Sequence, residues 1–202
     1  MREKRKSIII TNIIRGFIIG IVGFVLIKGE YKNLGILAIT MLLTFYDKLT
    51  EKILKIKLEE KLKIAIILFI FGAQCLGTVL DFYGKFLWWD TMLHTISGVI
   101  FFFIGETVIR QLNKQEELKS KIIILFAVCF AMATGVIWEI FEFLVDGILG
   151  QNMQVVKGMI GREAIMDTMM DLISVTIGTV LTAYVKVITN KRNKKGIKSN
   201  EK

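Results

Sequence analysis

The chain contains no proline, a single histidine and two cysteines among its 202 residues. Without proline, nothing forces a kink into a helix. Cys75 and Cys129 both lie inside apolar runs. They read as small buried hydrophobes, and no disulfide framework or cysteine-based metal motif exists. The sequence also lacks a P-loop, a Rossmann glycine pattern, a serine-centred nucleophile elbow and a zincin motif. What it has in excess is apolar surface: 53% of residues are apolar and the mean hydropathy is +0.58. A soluble chain of this size could not cover so much greasy surface, so a bilayer is its natural solvent. The length points to one domain. The net charge of +9 does not mark a nucleic-acid binder, because the basic residues fall in short blocks between apolar stretches.

Apolar stretches occur at about 8–27, 34–45, 64–80, 91–109, 122–143 and 164–187. A transmembrane helix needs roughly 20 residues. The second stretch reaches spanning length only by recruiting its flanks to 31–46, and otherwise reads as a re-entrant segment. Six spans place 21 basic residues on one side and five on the other, with Arg15 inside the first span. That asymmetry is a positive-inside signal. It predicts an all-α polytopic membrane protein with about six transmembrane helices and both termini in the cytoplasm. Residues 1–189 form a single transmembrane domain, with spans at about 8–27, 31–46, 64–80, 91–109, 122–143 and 164–187. Residues 190–202 form a basic, unstructured cytoplasmic tail. The first span reads as an uncleaved signal anchor. Between the second and third spans, Leu49, Ile53, Leu54, Leu58 and Leu62 recur at roughly helical spacing among lysines. That segment either lies on the anionic inner leaflet or is a solvated linker helix. Trp88 and Trp89 mark an outer aromatic belt.

Ionisable groups inside spans are expensive and need a reason. Here they converge on one depth. Under the six-span arrangement, Asp90 and His94 open the fourth span from outside, and Glu139, Glu142 and Asp146 close the fifth. Asp167 and Asp171 open the sixth. The spacings i, i+4, then i, i+3, i+7, then i, i+4 put each set on one helix face. Asp171 then lies on the order of 10 Å inside its span. Small residues continue those faces inward: Ser97 and Gly98, Gly135 and Ala131, and Ser174, Gly178 and Thr182. Such residues let membrane helices approach closely. The last three spans are therefore expected to pack tightly around a polar pocket near the outer leaflet. Up to six carboxylates beside one imidazole cannot all stay ionised without a cation. A divalent metal fits, with His94, Asp90, Glu139, Glu142, Asp167 and Asp171 as its ligand set. Zn, Mn or Fe suits this donor set, as does Mg or Ca if the histidine stands back from the metal. A metal-bound water could then attack an ester or phosphoester, with Glu139, Glu142 or Asp167 moving its proton. Arg162, near the pocket mouth, reads either as the group that binds a substrate phosphate or carboxylate or as an interfacial anchor. Asp146, at the end of its helix, reads as solvated. Gln74 and Glu106 read as structural.

The pattern Trp89-Asp90-x-x-x-His94, Trp138-Glu139-x-x-Glu142 and Asp167-x-x-x-Asp171 with Gly178, preceded by residues 77–83, resembles the uncharacterised YjdF-type family of bacterial inner-membrane proteins. The likeness covers roughly residues 62–181. A more distant likeness is to VanZ-like proteins, known for association with glycopeptide resistance. Arg162, Asp167 and Gly178 fit their closing motif, while Thr91 stands for a lysine, Glu142 for a glutamine and Asp171 for an asparagine. These resemblances imply an inner-membrane location and reinforce the site, but they assign no reaction. The residues themselves point to a metal-dependent hydrolase or transferase acting on a lipid-linked or envelope substrate. The alternatives are an ion- or proton-coupled transporter and a non-catalytic lipid-binding or assembly protein. A transport site is expected near the midplane on broken helices, whereas this one is off-centre.

Overall fold

Within a bilayer every backbone polar group must be satisfied inside the protein, so apolar runs without proline become helices. The computed structural model describes residues 2–113, 118–150, 152–154 and 161–200, and among these no β-strand occurs. Eight α-helices follow in order: α1 (Arg2–Lys28), α2 (Leu34–Leu43), α3 (Tyr46–Leu49), α4 (Glu60–Ile70), α5 (Phe82–Lys85), α6 (Trp89–Leu112), α7 (Ser120–Leu149) and α8 (Met166–Asn200). A 3-10 turn, Tyr31–Asn33, leads into α2, and π-helical segments Thr50–Leu54 and Phe71–Val79 extend α3 and α4. Five of the helical segments are long and apolar enough to cross a membrane: Arg2–Lys28, Glu60–Val79, Trp89–Leu112, Ser120–Leu149 and Met166–Arg192. The chain is thus an all-α, multi-pass membrane protein.

The stretch expected as the second span forms a shorter apolar helix, Tyr31–Leu43. At 1.5 Å per residue α2 itself runs about 15 Å, half a hydrocarbon core of roughly 30 Å. A bend at Thr44–Phe45 ends it, and the helical path resumes to Leu54. The charged segment that follows is no single amphipathic helix, because Lys55 adopts a left-handed backbone conformation and breaks it. Leu58 and Leu62 are buried, while Leu49, Ile53 and Leu54 are exposed. The basic tail, expected to be unstructured from residue 190, continues α8 to Asn200. Helix propagation costs little once a long helix exists, and no proline stops it. Lys114, Lys157 and Lys202, counted above in the charge asymmetry, lie outside the described residues.

The chain divides into two compact units, Met1–Leu93 and His94–Lys202. In the first, Ile14, Ile18 and Val25 of α1 pack with Leu37, Ile67, Cys75 and Val79. Gly77 lies so close under the Tyr83 ring that a side chain there would strike it. Trp88 and Trp89 belong to an aromatic cluster with Phe82 and Phe86. The first unit also explains the charge inside the first span. The Arg15 guanidinium donates from Nε to Thr44 Oγ1 at 2.9 Å and from Nη2 to the Thr44 carbonyl at 3.0 Å. It lies 4.0 Å from the centre of the Phe45 ring. Arg15 therefore supplies donors at the point where α2 bends. Arg15→Leu is expected to leave these buried acceptors unsatisfied and to cost about 1–3 kcal/mol. Arg15→Lys should fall in between, since an ammonium keeps the charge but not the planar fork. Thermal unfolding of detergent-purified protein measures both.

In the second unit the helices are inverted relative to those of a soluble protein. On α7 the buried stripe is Ile123, Ala127, Ala131, Gly135, Glu139 and Glu142, while Ile137, Ile140, Phe143 and Leu144 are exposed. A face that greasy turned outward needs lipid against it. Cys129 also faces outward, unlike the buried Cys75, so only one of the two cysteines belongs to a core. Small residues set the helix spacing. A Cβ on Gly178 would meet the Thr95 carbonyl, and one on Gly98 would meet the Val175 carbonyl. A Cβ on Gly135 would stand 2.9 Å from Val175 Cγ1. Near the other end of α6, the buried Glu106 accepts hydrogen bonds from Arg110 and, at 2.8 Å, an ion pair from Lys186 of α8. Glu106 is structural, as expected.

Candidate metal centre

Glu139 and Glu142 sit on the buried stripe of α7 three residues apart, so successive turns aim them the same way. The stripe is lined by Ala127, Ala131 and Gly135 below them, which lets α8 approach α7 closely enough for Asp171 to reach the same place. Ligand atoms of Glu139, Glu142 and Asp171 lie within 4.8 Å of one another. His94 stands between two of them: Nδ1 is 3.8 Å from Glu139 Oε1, and Nε2 is 3.7 Å from Asp171 Oδ2. Two ligands held about 2.1 Å from one tetrahedral metal lie about 3.4 Å apart. Only one ring nitrogen can bind a given cation, and whichever does has its carboxylate contact close to that spacing. His94, Glu139, Glu142 and Asp171 are only 8%, 5%, 7% and 3% exposed, which separates them from ordinary solvated acids. Glu139, Glu142 and Asp171 have the spacing to hold a metal ion, with His94 against Glu139 and Asp171.

The imidazole can give one nitrogen to a cation while the other faces a carboxylate, an arrangement that orients metal-bound histidines generally. Hydroxyls nearby donate to backbone carbonyls. Ser97 donates to the His94 carbonyl at 2.8 Å, and Ser174 to the Met170 carbonyl at 2.7 Å. Thr179 donates to the Gly98 carbonyl at 3.4 Å, across the crossing of α6 and α8.

Of the remaining expected ligands and partners, Asp167 and Arg162 are placed differently. Asp167, one turn before Asp171 on α8, is half-buried and stands outside the three-carboxylate group found among the described residues. Asp90 is half-buried, one turn before His94 on α6, in the segment that belongs to the first unit. Arg162 is exposed and caps the 3-10 turn Glu163–Ile165 that leads into α8. Asp146, read from the sequence as solvated, accepts backbone N–H groups of Met153 and Gln154 at 2.7 and 3.0 Å. The Gln154 side chain in turn donates to Thr168 Oγ1 at 2.7 Å. Sequence reasoning also missed a role for Trp138, whose Nε1 donates to Glu142 Oε1 at 2.8 Å. Its i, i+4 spacing from Glu142 was the available signal.

These residues fall within a stretch, residues 10–192, that matches a family described as "Predicted membrane protein (DUF2238)". The chain belongs to this family. This DUF2238 member is similar to an uncharacterized protein of Thermotoga maritima, at 29% identity over 142 residues, covering 69% of this chain and 67% of that one. No solved structure matches the chain.

Proposed function

We propose that this DUF2238 protein is a metal-dependent hydrolase or transferase of the bacterial inner membrane, acting on a lipid-linked or envelope substrate. The observation that carries the reading is the clustering of His94, Glu139, Glu142 and Asp171. One imidazole and three carboxylates suit Zn, Mn or Fe. Held by these residues, a cation would keep the carboxylates charged and would supply an activated water, whose proton Glu139, Glu142 or the nearby Asp167 would take. Asp90, one turn from His94, is a further proposed ligand. Exposed Arg162, before α8, fits a substrate phosphate or carboxylate. Elemental analysis of detergent-purified protein tests it. Near-stoichiometric metal is expected in the wild type and a strong loss in Asp171→Asn. Absence of metal from the wild type would favour a proton-sharing cluster and a transport or assembly role instead.

The proposed orientation places both termini in the cytoplasm, on the side that carries 21 basic residues when the 31–46 stretch crosses the membrane. Reporter fusions at Asn200 and near Gly84 are then expected to read inside and outside, respectively. An outside reading at Asn200 would mean an odd number of crossings and a re-entrant α2.

A further inference from the structure

The helical path beyond the bend at Thr44–Phe45, from Tyr46 to Leu54, keeps a greasy face uncovered. Leu49, Ile53 and Leu54 are 60%, 64% and 59% exposed, whereas Leu58 and Leu62 further on are buried. Leu49 and Ile53 are four residues apart and share a face. Lys48 and Lys52 each stand one residue earlier and border that face. Asp47 and Glu51 each stand two residues earlier, about 200° around the helix, and turn the other way. The left-handed Lys55 ends the path and adds a third exposed lysine at its edge. Among the described residues, Lys52 and Lys55 have no carboxylate partner, unlike Lys6, which pairs with Glu3, and Lys63, which pairs with Glu60. Two contacts mark the depth of the segment. The Tyr46 hydroxyl donates to the Lys63 carbonyl at 2.8 Å, and Lys63 directly precedes the apolar run of α4. Arg15, which holds Thr44, stands about 10 Å into the apolar run that begins at Ile8, at 1.5 Å per residue. The path therefore begins just inside the hydrocarbon and continues for about 13 Å, within reach of the headgroup layer.

We propose that this face binds anionic phospholipid, with Leu49, Ile53 and Leu54 among the acyl chains and Lys48, Lys52 and Lys55 on the headgroup phosphates. An apolar strip bordered by lysines matches the boundary between acyl chain and headgroup. There the lysine stem lies along apolar surface while its ammonium reaches outward. A zwitterionic lipid satisfies the strip but leaves the lysines without a net opposite charge, so the preference is for anionic headgroups. Protein partners fit less well. Lysine is depleted from protein–protein interfaces, and a second copy laid on this face would set lysine against lysine. Water is a poor cover for adjacent large apolar side chains. The surface belongs to the first unit alone and stands whether or not the second unit binds a metal.

The test is titration of the detergent-purified full chain with phosphatidylglycerol and with phosphatidylcholine, read by native mass spectrometry. Wild type is expected to retain phosphatidylglycerol in preference. The combined variant Lys48→Gln, Lys52→Gln, Lys55→Gln should lose phosphatidylglycerol affinity by about fivefold for each lysine removed, with phosphatidylcholine binding unchanged. Lys4→Gln, Lys191→Gln, Arg192→Gln removes the same charge elsewhere and should lose much less. Equal losses in the two variants, or equal retention of both lipids by wild type, would overturn the proposal. A second measurement leaves the lysines intact. Nitroxide labels at Ile53→Cys and at Glu51→Cys are compared in nanodiscs containing phosphatidylglycerol. Both carry Cys129→Ser, because Cys129 is exposed while Cys75 is buried. The label at position 53 should be open to oxygen and shielded from a water-soluble nickel chelate, and the label at 51 the reverse. A label at 53 open to nickel would show a solvated linker. One shielded from both reagents would show protein cover, by a second copy or another partner. Either result would reject lipid as the occupant.

Discussion

Asp171→Asn protein is expected to lose the response of its melting temperature to divalent cations. In the wild type, a metal that binds only the folded state stabilises it by about 2.7 kcal/mol at a hundredfold excess over Kd. Chelation should remove that increment, and one specific cation should restore it. Asp171 is the residue to change because it faces His94 at 3.7 Å and shares the carboxylate group with Glu139 and Glu142. Asparagine keeps the volume and removes the charge. Asp146→Asn is the informative contrast. Asp146 holds backbone N–H groups of Met153 and Gln154, so its loss should lower stability with and without metal while leaving the cation increment intact. Melting curves in detergent, with chelator and after addition of Zn, Mn, Fe or Mg, read both variants. A wild-type curve indifferent to chelators and metals would end the metal interpretation.

Gly178→Ala should be strongly destabilising although glycine 178 offers no side chain to any ligand. Its Cβ would collide with the Thr95 carbonyl, which is backbone and cannot rotate away. Overpacking of this kind costs about 1–3 kcal/mol, and more where the neighbour is rigid. Gly98 faces the Val175 carbonyl in the same way, so either substitution forces α6 and α8 apart. His94 precedes Thr95 directly, and Asp171 lies about 10 Å along α8 from Gly178 at 1.5 Å per residue. Separation of the helices should therefore weaken zinc binding as well as stability. Gly16→Ala is the control. Nothing lies within 4 Å of a Cβ at Gly16, and alanine favours a helix over glycine by up to about 1 kcal/mol. Thermal unfolding and zinc titration of the three variants should rank Gly178→Ala and Gly98→Ala far below Gly16→Ala. Equal stability in all three would contradict the close crossing.

Membrane residence was legible because it depends on composition and run length, and both are local. The convergence of His94, Glu139, Glu142 and Asp171 was legible for a related reason. Helical periodicity puts each set on one face, and the expense of burying acids in lipid demands that those faces meet. Span two was less legible. Its length was marginal in the sequence, and what ends α2 is a bend at Thr44–Phe45 whose acceptors are met by Arg15, 29 residues earlier. No local pattern announces a donor at that distance. Asp146 illustrates the same gap, since its partners in the chain that follows α7 depend on how that chain turns back.

The sequence by itself determined the solvent, the helical class and the faces that carry the acids. Those follow from transfer free energies and from the 3.6-residue period, which act within a single helix. Tertiary structure decided which of the acids share a centre. It grouped Glu139, Glu142 and Asp171, set His94 against Glu139 and Asp171, and left Asp167 outside the carboxylate group. It also set the spacing of α6 and α8 through Gly98 and Gly178, and turned Trp138 onto Glu142. The physical reason is that helix periodicity fixes direction around an axis. Only the contact between one helix and the next fixes the distance at which two side chains meet.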